Sequence, residues 1–337
     1  MKKVNSRSIT VLDVARHAGV STATVSRALT GSRPMSEQLR DRVRASATEL
    51  GYQVNLVGRA LRKQRTSTLG LVIPDLENPF FSSLAQQVSR RFTLTQVDVL
   101  VASSDNDISL ERRAVESFLG RQVDAIVVIP ADEVESSATL EVSAQSVPTI
   151  ALDRSVPGVP VPFVGVDNAA GMALVGRHLE SFIDLDDYPA WFIGGGQSSS
   201  SGRERAAEFS KSFPDAPVLD GKFSFDWGQQ GANAIVESGV SRGTIVAAAD
   251  IIALGAMSFL TTSGFRVPED FRIVGFDDLG VSRFAYPSLS TVRQPVEEMV
   301  DEIHRLVAGG EEAVQTSSDT KRFSPSWVIG QSSPETT

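Results

Sequence analysis

Within "HAGVSTATVSRAL", residues 17 to 29, the hydroxyls of Ser21, Thr22, Thr24 and Ser26, the methyl of Ala23 and the guanidinium of Arg27 crowd into one short stretch. Those groups suit the edges of nucleic-acid bases: Arg can make a bidentate contact to guanine, hydroxyls serve as donors or acceptors, and methyls meet the thymine methyl. A second set is spread along the chain: Asn78, Phe80 and Phe81 in "PDLENPFF", then Asp132, Arg205, Trp227, Asp277 and Gln294. Aromatic faces beside an amide suit a sugar or polyol, whose C–H face stacks while its hydroxyls hydrogen-bond. Taken singly, the two Phe are equally well core residues opening a helix. Any one of the polar residues is equally well a surface group or a salt-bridge partner.

Other chemistries have no residues to carry them. The chain has no cysteine, which excludes disulfides, thiolate nucleophiles and Cys-ligated zinc. Its histidines, His17, His178 and His304, lack a second His at metal-ligand spacing. "GGGQSSSSGR" at 194 to 203 contains no GK[ST], the first strand is not followed by G-x-G-x-x-G, and no G-x-S-x-G elbow occurs. Asp277 and Asp278 are adjacent in an extended segment, so their side chains point opposite ways, which argues against an acid–base pair. Neither enzyme activity, nor a cofactor, nor a metal is expected. "VNSRSITVLDV" after Lys2 and Lys3 has no apolar signal region, and no stretch reaches the ~18 apolar residues of a membrane span. A cytoplasmic protein with no membrane partner is expected.

The elements that position Arg27 can be read from spacing. Thr10 with Asp13 has capping-box character, and Val11, Leu12, Val14, Ala15 and Ala18 give a first helix its apolar face, ended by Gly19. Ser21 caps a second helix, Thr22 to Leu29, with Val25, Ala28 and Leu29 inward and Thr22, Ala23, Ser26 and Arg27 outward. A third, capped by Ser36 and running to Gly51, supplies Leu39, Val43, Ala47 and Leu50. Two short helices joined by a tight Gly-containing turn form a helix-turn-helix, whose second helix reads the major groove. Charge agrees: residues 1 to 65 carry 13 basic and 4 acidic side chains, a local +9, which leaves −18 for the rest of a chain of net charge −9. A basic head on an acidic body points to nucleic-acid binding by the head and another task for the body.

"TVLDVARHAGVSTATVSRAL", followed by "VRASATELGYQVN" and "GRALR", closely resembles the head of the LacI/GalR family of bacterial transcription regulators. The resemblance continues along essentially the whole chain, with "NPFF" similar to the ribose-repressor branch. It implies a hinge helix formed on DNA, with Leu61 as a minor-groove wedge at the centre of a palindromic operator, flanked by Asn55, Arg59 and Arg62. Val54 stands where the family usually has proline and Gly58 where it usually has alanine.

Beyond "KQRTST" the pattern changes. Apolar runs at 69 to 73, 97 to 102, 124 to 129, 149 to 152, 190 to 194, 244 to 248 and 272 to 276 alternate with amphipathic stretches of helical length. Continuous apolar strands between helices predict parallel sheets covered on both faces. The length exceeds one such sheet, so an α/β body of two Rossmann-like subdomains is expected, with ligands bound outside the carboxyl ends of the strands. The fold class is thus an N-terminal three-helix helix-turn-helix head plus a periplasmic-binding-protein-like sensor. Expected boundaries are 1–53 for the head, 54–67 for hinge and linker, 68–166 with 295–322 for one sensor subdomain, and 167–294 with 323–337 for the other.

The resemblance implies that Asn78, Phe80, Phe81, Asp132, Arg205, Trp227, Asp277 and Gln294 contact a small sugar-like effector, a pentose, nucleoside or polyol. Ala249 departs from the Asn the family often has before Asp250, so a sugar-hydroxyl donor is missing there. It also implies a homodimer that binds palindromic operator DNA and acts as a repressor. A sugar-binding protein without a regulatory role would need a signal peptide and have no use for the basic head. A DNA-compacting protein would have no use for the body, and a regulator answering a non-sugar effector is the remaining alternative.

Overall fold

The structure is a computed structural model that describes residues 9–30, 34–52, 65–316 and 320–335. The expected hinge, with Val54, Asn55, Gly58, Arg59, Leu61 and Arg62, lies outside the described residues. The chain divides into two compact units, residues 1–66 and 67–337.

The first unit holds α1 (Val11–Ala18), α2 (Thr22–Thr30) and α3 (Glu37–Glu49). Its helix ends follow from local chemistry. Thr10 caps α1 in a full capping box: the Asp13 amide donates to its hydroxyl, and its own amide donates to the Asp13 carboxylate at 2.9 Å. Gly19 ends α1 at φ 65°, a left-handed conformation that costs glycine nothing. The Ser21 hydroxyl accepts from the Thr24 amide at 3.1 Å and starts α2. Ser36 occupies the N-cap of α3 but makes no side-chain cap bond. Val14, Ala15, Ala18, Val25, Ala28, Val43 and Ala47 form the core, with Leu29 and Leu50 packed at its edge. Each fully buried Val contributes about 1.5–3 kcal/mol, so three short helices that could not stand alone hold one another.

The second unit is built on two six-stranded sheets. The first contains β1 (Thr68–Ile73), β2 (Asp98–Ser103), β3 (Ala125–Val128), β4 (Thr149–Leu152), β5 (Phe163–Val166) and β11 (Thr320–Phe323), in the order β11-β5-β4-β3-β1-β2 and all parallel. The second contains β6 (Ala190–Ile193), β7 (Val218–Leu219), β8 (Gly243–Ala247), β9 (Phe271–Asp277), β10 (Ser290–Arg293) and β12 (Ser326–Val328), in the order β12-β10-β9-β8-β6-β7. Only β12 runs antiparallel there. Strands β1, β3 and β4 are almost wholly buried, as parallel strands covered on both faces must be.

The chain passes between the sheets at three places: after β5 into α7 (Asn168–Phe182), after β10 into α11 (Val296–Thr316), and between β11 and β12. In each sheet the first strand has the next two strands of the chain on its opposite sides, β2 and β3 flanking β1 and β7 and β8 flanking β6. That is where a crevice opens outside the carboxyl ends. The apolar runs located β1, β2, β3, β4, β6, β8 and β9. They did not locate β7, β11 and β12, which are short or lie at an edge, or β10, where buried Ser290 and Thr291 interrupt the apolar signal. β5 is apolar but only four residues long.

Candidate functional site

The carboxyl ends of the two sheets meet at a narrow cleft lined by Asn78, Phe80, Phe81, Asp153, Arg154, Ser201, Arg205, Phe223, Asp277 and Gln294. Local chemistry sets each one. Asn78 is the N-cap of α4 (Pro79–Thr93), accepting from the Phe80 amide at 3.0 Å, so Phe80 and Phe81 start the helix as an edge-to-face pair 5.3 Å apart at the cleft wall. The α4 residues are helix-openers and cleft-liners at once. Asp153 and Arg154 leave β4 in a tight turn, with Asp153 at φ 62°. Ser201 and Arg205 project from α8 (Ser200–Ser212), which the Ser199 hydroxyl caps. Phe223 follows β7 and lies over Gly195, where a Cβ would collide with the ring. The glycine-rich loop thus makes room for an aromatic wall.

Two buried cations and two buried anions face each other. Arg205 stacks on Phe276 with its guanidinium carbon 3.6 Å from the ring centre, donates to Asn168 at 2.8 Å and to the Ala248 carbonyl at 2.7 Å, and stands 3.7 Å from Asp277. Gln294 donates to Asp277 at 2.7 Å. Arg154 lies 5.5 Å from the Phe81 ring and 5.7 Å from that of Phe223, and donates to Asn106 and the Pro130 carbonyl. Burial pushes the Asp277 and Asp153 carboxyls above the usual range, against the attraction of Arg205. Burial also lowers the Arg154 guanidinium to about 10. Three polar atoms of the lining are buried without a hydrogen-bond partner: Asp153 Oδ1, Arg154 Nε and Gln294 Oε1. Each such atom left unsatisfied costs about 1–3 kcal/mol, a cost that polar groups of a molecule in the cleft could relieve.

Of the residues expected at an effector site, the fold gathers Asn78, Phe80, Phe81, Arg205, Asp277 and Gln294 around this cleft. Asp132 and Trp227 are not in its lining. The Asp132 carboxylate accepts from the Val134 and Glu135 amides at 2.7 and 2.8 Å and is spent shaping its own turn. Trp227 donates from its indole to the Gly194 carbonyl at 2.9 Å and packs on Gly221. Asp153, Arg154, Ser201 and Phe223 complete the lining without a motif in the sequence that singles them out. "TIALDR" has the same form as "RIVGFDD", an apolar strand ending in a charged pair, and that likeness could have revealed the first two. Ala249 is fully buried at the start of α10 (Asp250–Thr262) and makes no cap bond. Asp250 is tied down by Leu279, Ser282 and Thr291.

In the head, Ser21, Thr22, Ala23 and Arg27 are exposed, while Thr24 and Ser26 are half-buried. Arg27 lies back along α2, donating to the Ala23 carbonyl at 3.2 Å. Its guanidinium is therefore held on the same helix face as Ala23. That face offers one cation, hydroxyls and a methyl.

Residues 10–55 match the family described as bacterial regulatory proteins, lacI family, and residues 190–333 match a periplasmic binding protein-like domain. The ribose operon repressor of Halalkalibacterium halodurans is 31% identical over 298 residues, 86% of each chain. The HTH-type transcriptional regulator AscG of Escherichia coli is 31% identical over 87% of this chain and 89% of its own. Among solved structures, the lac repressor dimer bound to operator and the anti-inducer ONPF superposes with a TM-score of 0.82 at 25% identity, covering 97% of this chain and all of that one. The transcriptional regulator CelR bound to cellobiose gives 0.67 at 26% identity, covering 96% and 99%. A head with an exposed Arg-bearing second helix, a two-sheet body with a charged cleft, and relatives of this identity along most of their length have one reading: the chain belongs to the LacI family of bacterial regulatory proteins and is a DNA-binding transcription regulator, not an enzyme.

Proposed function

We propose that this regulator is a cytoplasmic, homodimeric repressor whose heads read the half-sites of a palindromic operator and whose cleft binds a small, uncharged polyol of monosaccharide size. The head ends at residue 53, and residues 54–67 form hinge and linker. The sensor lobes are 68–166 with 295–322 and 167–294 with 323–337. Effector contacts fall to Asn78, Phe80, Phe81, Asp153, Arg154, Ser201, Arg205, Phe223, Asp277 and Gln294. The supporting observation is the set of three unpartnered atoms among aromatic rings: two acceptors, Asp153 Oδ1 and Gln294 Oε1, and one donor, Arg154 Nε. A ligand that donates two hydroxyl protons and accepts one hydrogen bond completes them. Arg154 and Arg205 are balanced by Asp153 and Asp277, so a phosphorylated ligand would bring an uncompensated charge into a buried site. The relatives add support: one is a ribose operon repressor, and another was solved with cellobiose.

A ligand that prefers one arrangement of the lobes shifts operator affinity only by its differential affinity for the two. The test is thermal stabilisation of the full chain by D-ribose, D-glucose, myo-inositol, adenosine, adenine and ribose 5-phosphate. A neutral sugar or polyol should raise the melting temperature and ribose 5-phosphate should not. Stabilisation by adenine or by the phosphate ester alone overturns the reading.

A further inference from the structure

Besides the cleft lining, the two lobes meet through polar groups that lie outside it. Glu133, in the turn after β3, receives two hydrogen bonds from Arg203 on α8, Nε to Oε1 at 2.7 Å and Nη2 to Oε2 at 2.8 Å. The Glu133 amide donates to the Ser198 carbonyl at 2.9 Å, and the Ser155 amide donates to the Ser200 hydroxyl at 2.8 Å. Glu133 and Ser155 belong to the first lobe. Ser198, Ser200 and Arg203 belong to the second.

The geometry points to Glu133 and Arg203 as positioning residues that latch the lobes together over the ligand without touching it. The turn that carries Glu133 is built for rigidity. Glu111 of α5 (Ile108–Gly120) is wholly buried and accepts from the Ala131 amide at 2.7 Å and the Ser136 hydroxyl at 2.9 Å, while Asp132 caps the amides of Val134 and Glu135. Held at both ends, the turn aims Glu133 at the partner helix. On that helix three successive charged residues take three directions. Arg203 crosses to Glu133, Glu204 pairs bidentately with Arg322 on β11, and Arg205 enters the cleft. Asn168, the first residue of α7, joins the last two, donating to Glu204 at 2.7 Å and accepting from Arg205 at 2.8 Å. A ligand that draws Arg205 therefore acts on the same helical turn that carries the latch and the Arg322 contact. Planar, two-bonded pairing is the form in which a carboxylate and Arg hold a fixed geometry, and a Lys in place of Arg203 would lose it.

This inference rests on the cleft as the effector site but not on the identity of the effector, and its test is chosen accordingly. Hydrogen exchange on the full-length chain reads the Glu133 and Ser155 amides, both of which donate across the lobes. In Arg203→Ala and in Glu133→Gln both amides should exchange about two- to fivefold faster, the range expected of a partly exposed bidentate pair, while the Val25 amide in the head is unchanged. The swap Glu133→Arg with Arg203→Glu should bring both back to within twofold of the parent. Unchanged exchange in both single variants, or a swap no slower than the singles, overturns the latch. A failure of D-ribose, D-glucose and myo-inositol alike to bind would count against the polyol reading and leave this result standing.

Discussion

Strands β4 and β9 hold the same place in the two sheets, fourth in the runs β2-β1-β3-β4-β5 and β7-β6-β8-β9-β10. Each is followed or ended by a buried aspartate with positive φ, Asp153 at 62° and Asp277 at 124°, and then by a second charged residue. From there the corners diverge. In the first lobe the second residue is Arg154, which stays in the cleft between Phe81 and Phe223. In the second it is Asp278, at φ 54°, whose side chain turns away to Arg293 at 2.6 Å and Arg283 at 2.7 Å. The cation that faces Asp277 comes instead from α8, as Arg205. One backbone device, an aspartate in a conformation costing about 1–3 kcal/mol, is thus used twice with different sources of counter-charge. The strain persists because burial and hydrogen bonds over-determine both corners.

Removing one aspartate of each kind should separate the two roles. Asp277→Ala should weaken binding of whichever neutral polyol stabilises the protein by on the order of 10- to 100-fold, since a buried charge-assisted contact is worth ~1.5–3 kcal/mol. Asp278→Ala should leave that affinity within about twofold while lowering the melting temperature, because Arg283 and Arg293 lose the carboxylate they share. Calorimetric titration alongside thermal unfolding reads both. Equal losses of affinity would mean that the two residues do not divide their roles.

A somewhat smaller effect is expected at the first corner. Arg154→Met keeps the alkyl stem between Phe81 and Phe223 but removes the Nε donor, and should cost about tenfold in affinity for the same ligand. Unchanged affinity would mean that Arg154 only shapes the wall. Phe223→Ala should cost less, about three- to tenfold, by removing one of the two rings that flank Arg154.

The smallest effects are on the pH dependence of stability, where two carboxylates should pull in opposite directions. The Asp277 carboxyl is raised by burial, so its favourable contribution is complete below its unfolded value, about 3.9, and is lost as pH rises through the folded value. Glu302 is lowered to about 2, first by its bond from Arg305 and then by Lys321, so its contribution is present above the unfolded value and is lost as pH falls toward 2. Melting temperatures across pH should show Asp277→Asn gaining on the parent between pH 4 and 7. Glu302→Gln should lose less than the parent between pH 4.5 and 2. Parallel curves for parent and variant would refute either assignment.

Local physics made much of this molecule legible. Caps at Thr10, Ser21 and Gly19 and the apolar faces of α1 and α2 depend on neighbours a few residues away, so spacing alone located the head. Buried parallel strands advertise themselves as apolar runs, and Asn78, Phe80 and Phe81 stand out because the N-cap and the opening of α4 are written in adjacent residues. What stayed hidden depends on distant chain. Asp132 and Asp153 each follow an apolar strand, yet the first is consumed by the amides of its own turn, whereas the second keeps one oxygen unpartnered in the cleft. Trp227 could as easily have faced a ligand as packed on Gly221.

Helices, caps and central strands are written into the local sequence, because they follow from hydrogen bonds and periodicity within a few residues. Which charged residues share the cleft is a matter of tertiary structure, because Asp153 of the first lobe meets Arg205, Asp277 and Gln294 of the second only where the carboxyl ends of the two sheets face each other. Their partners and burial are set by that meeting and not by any neighbour in sequence.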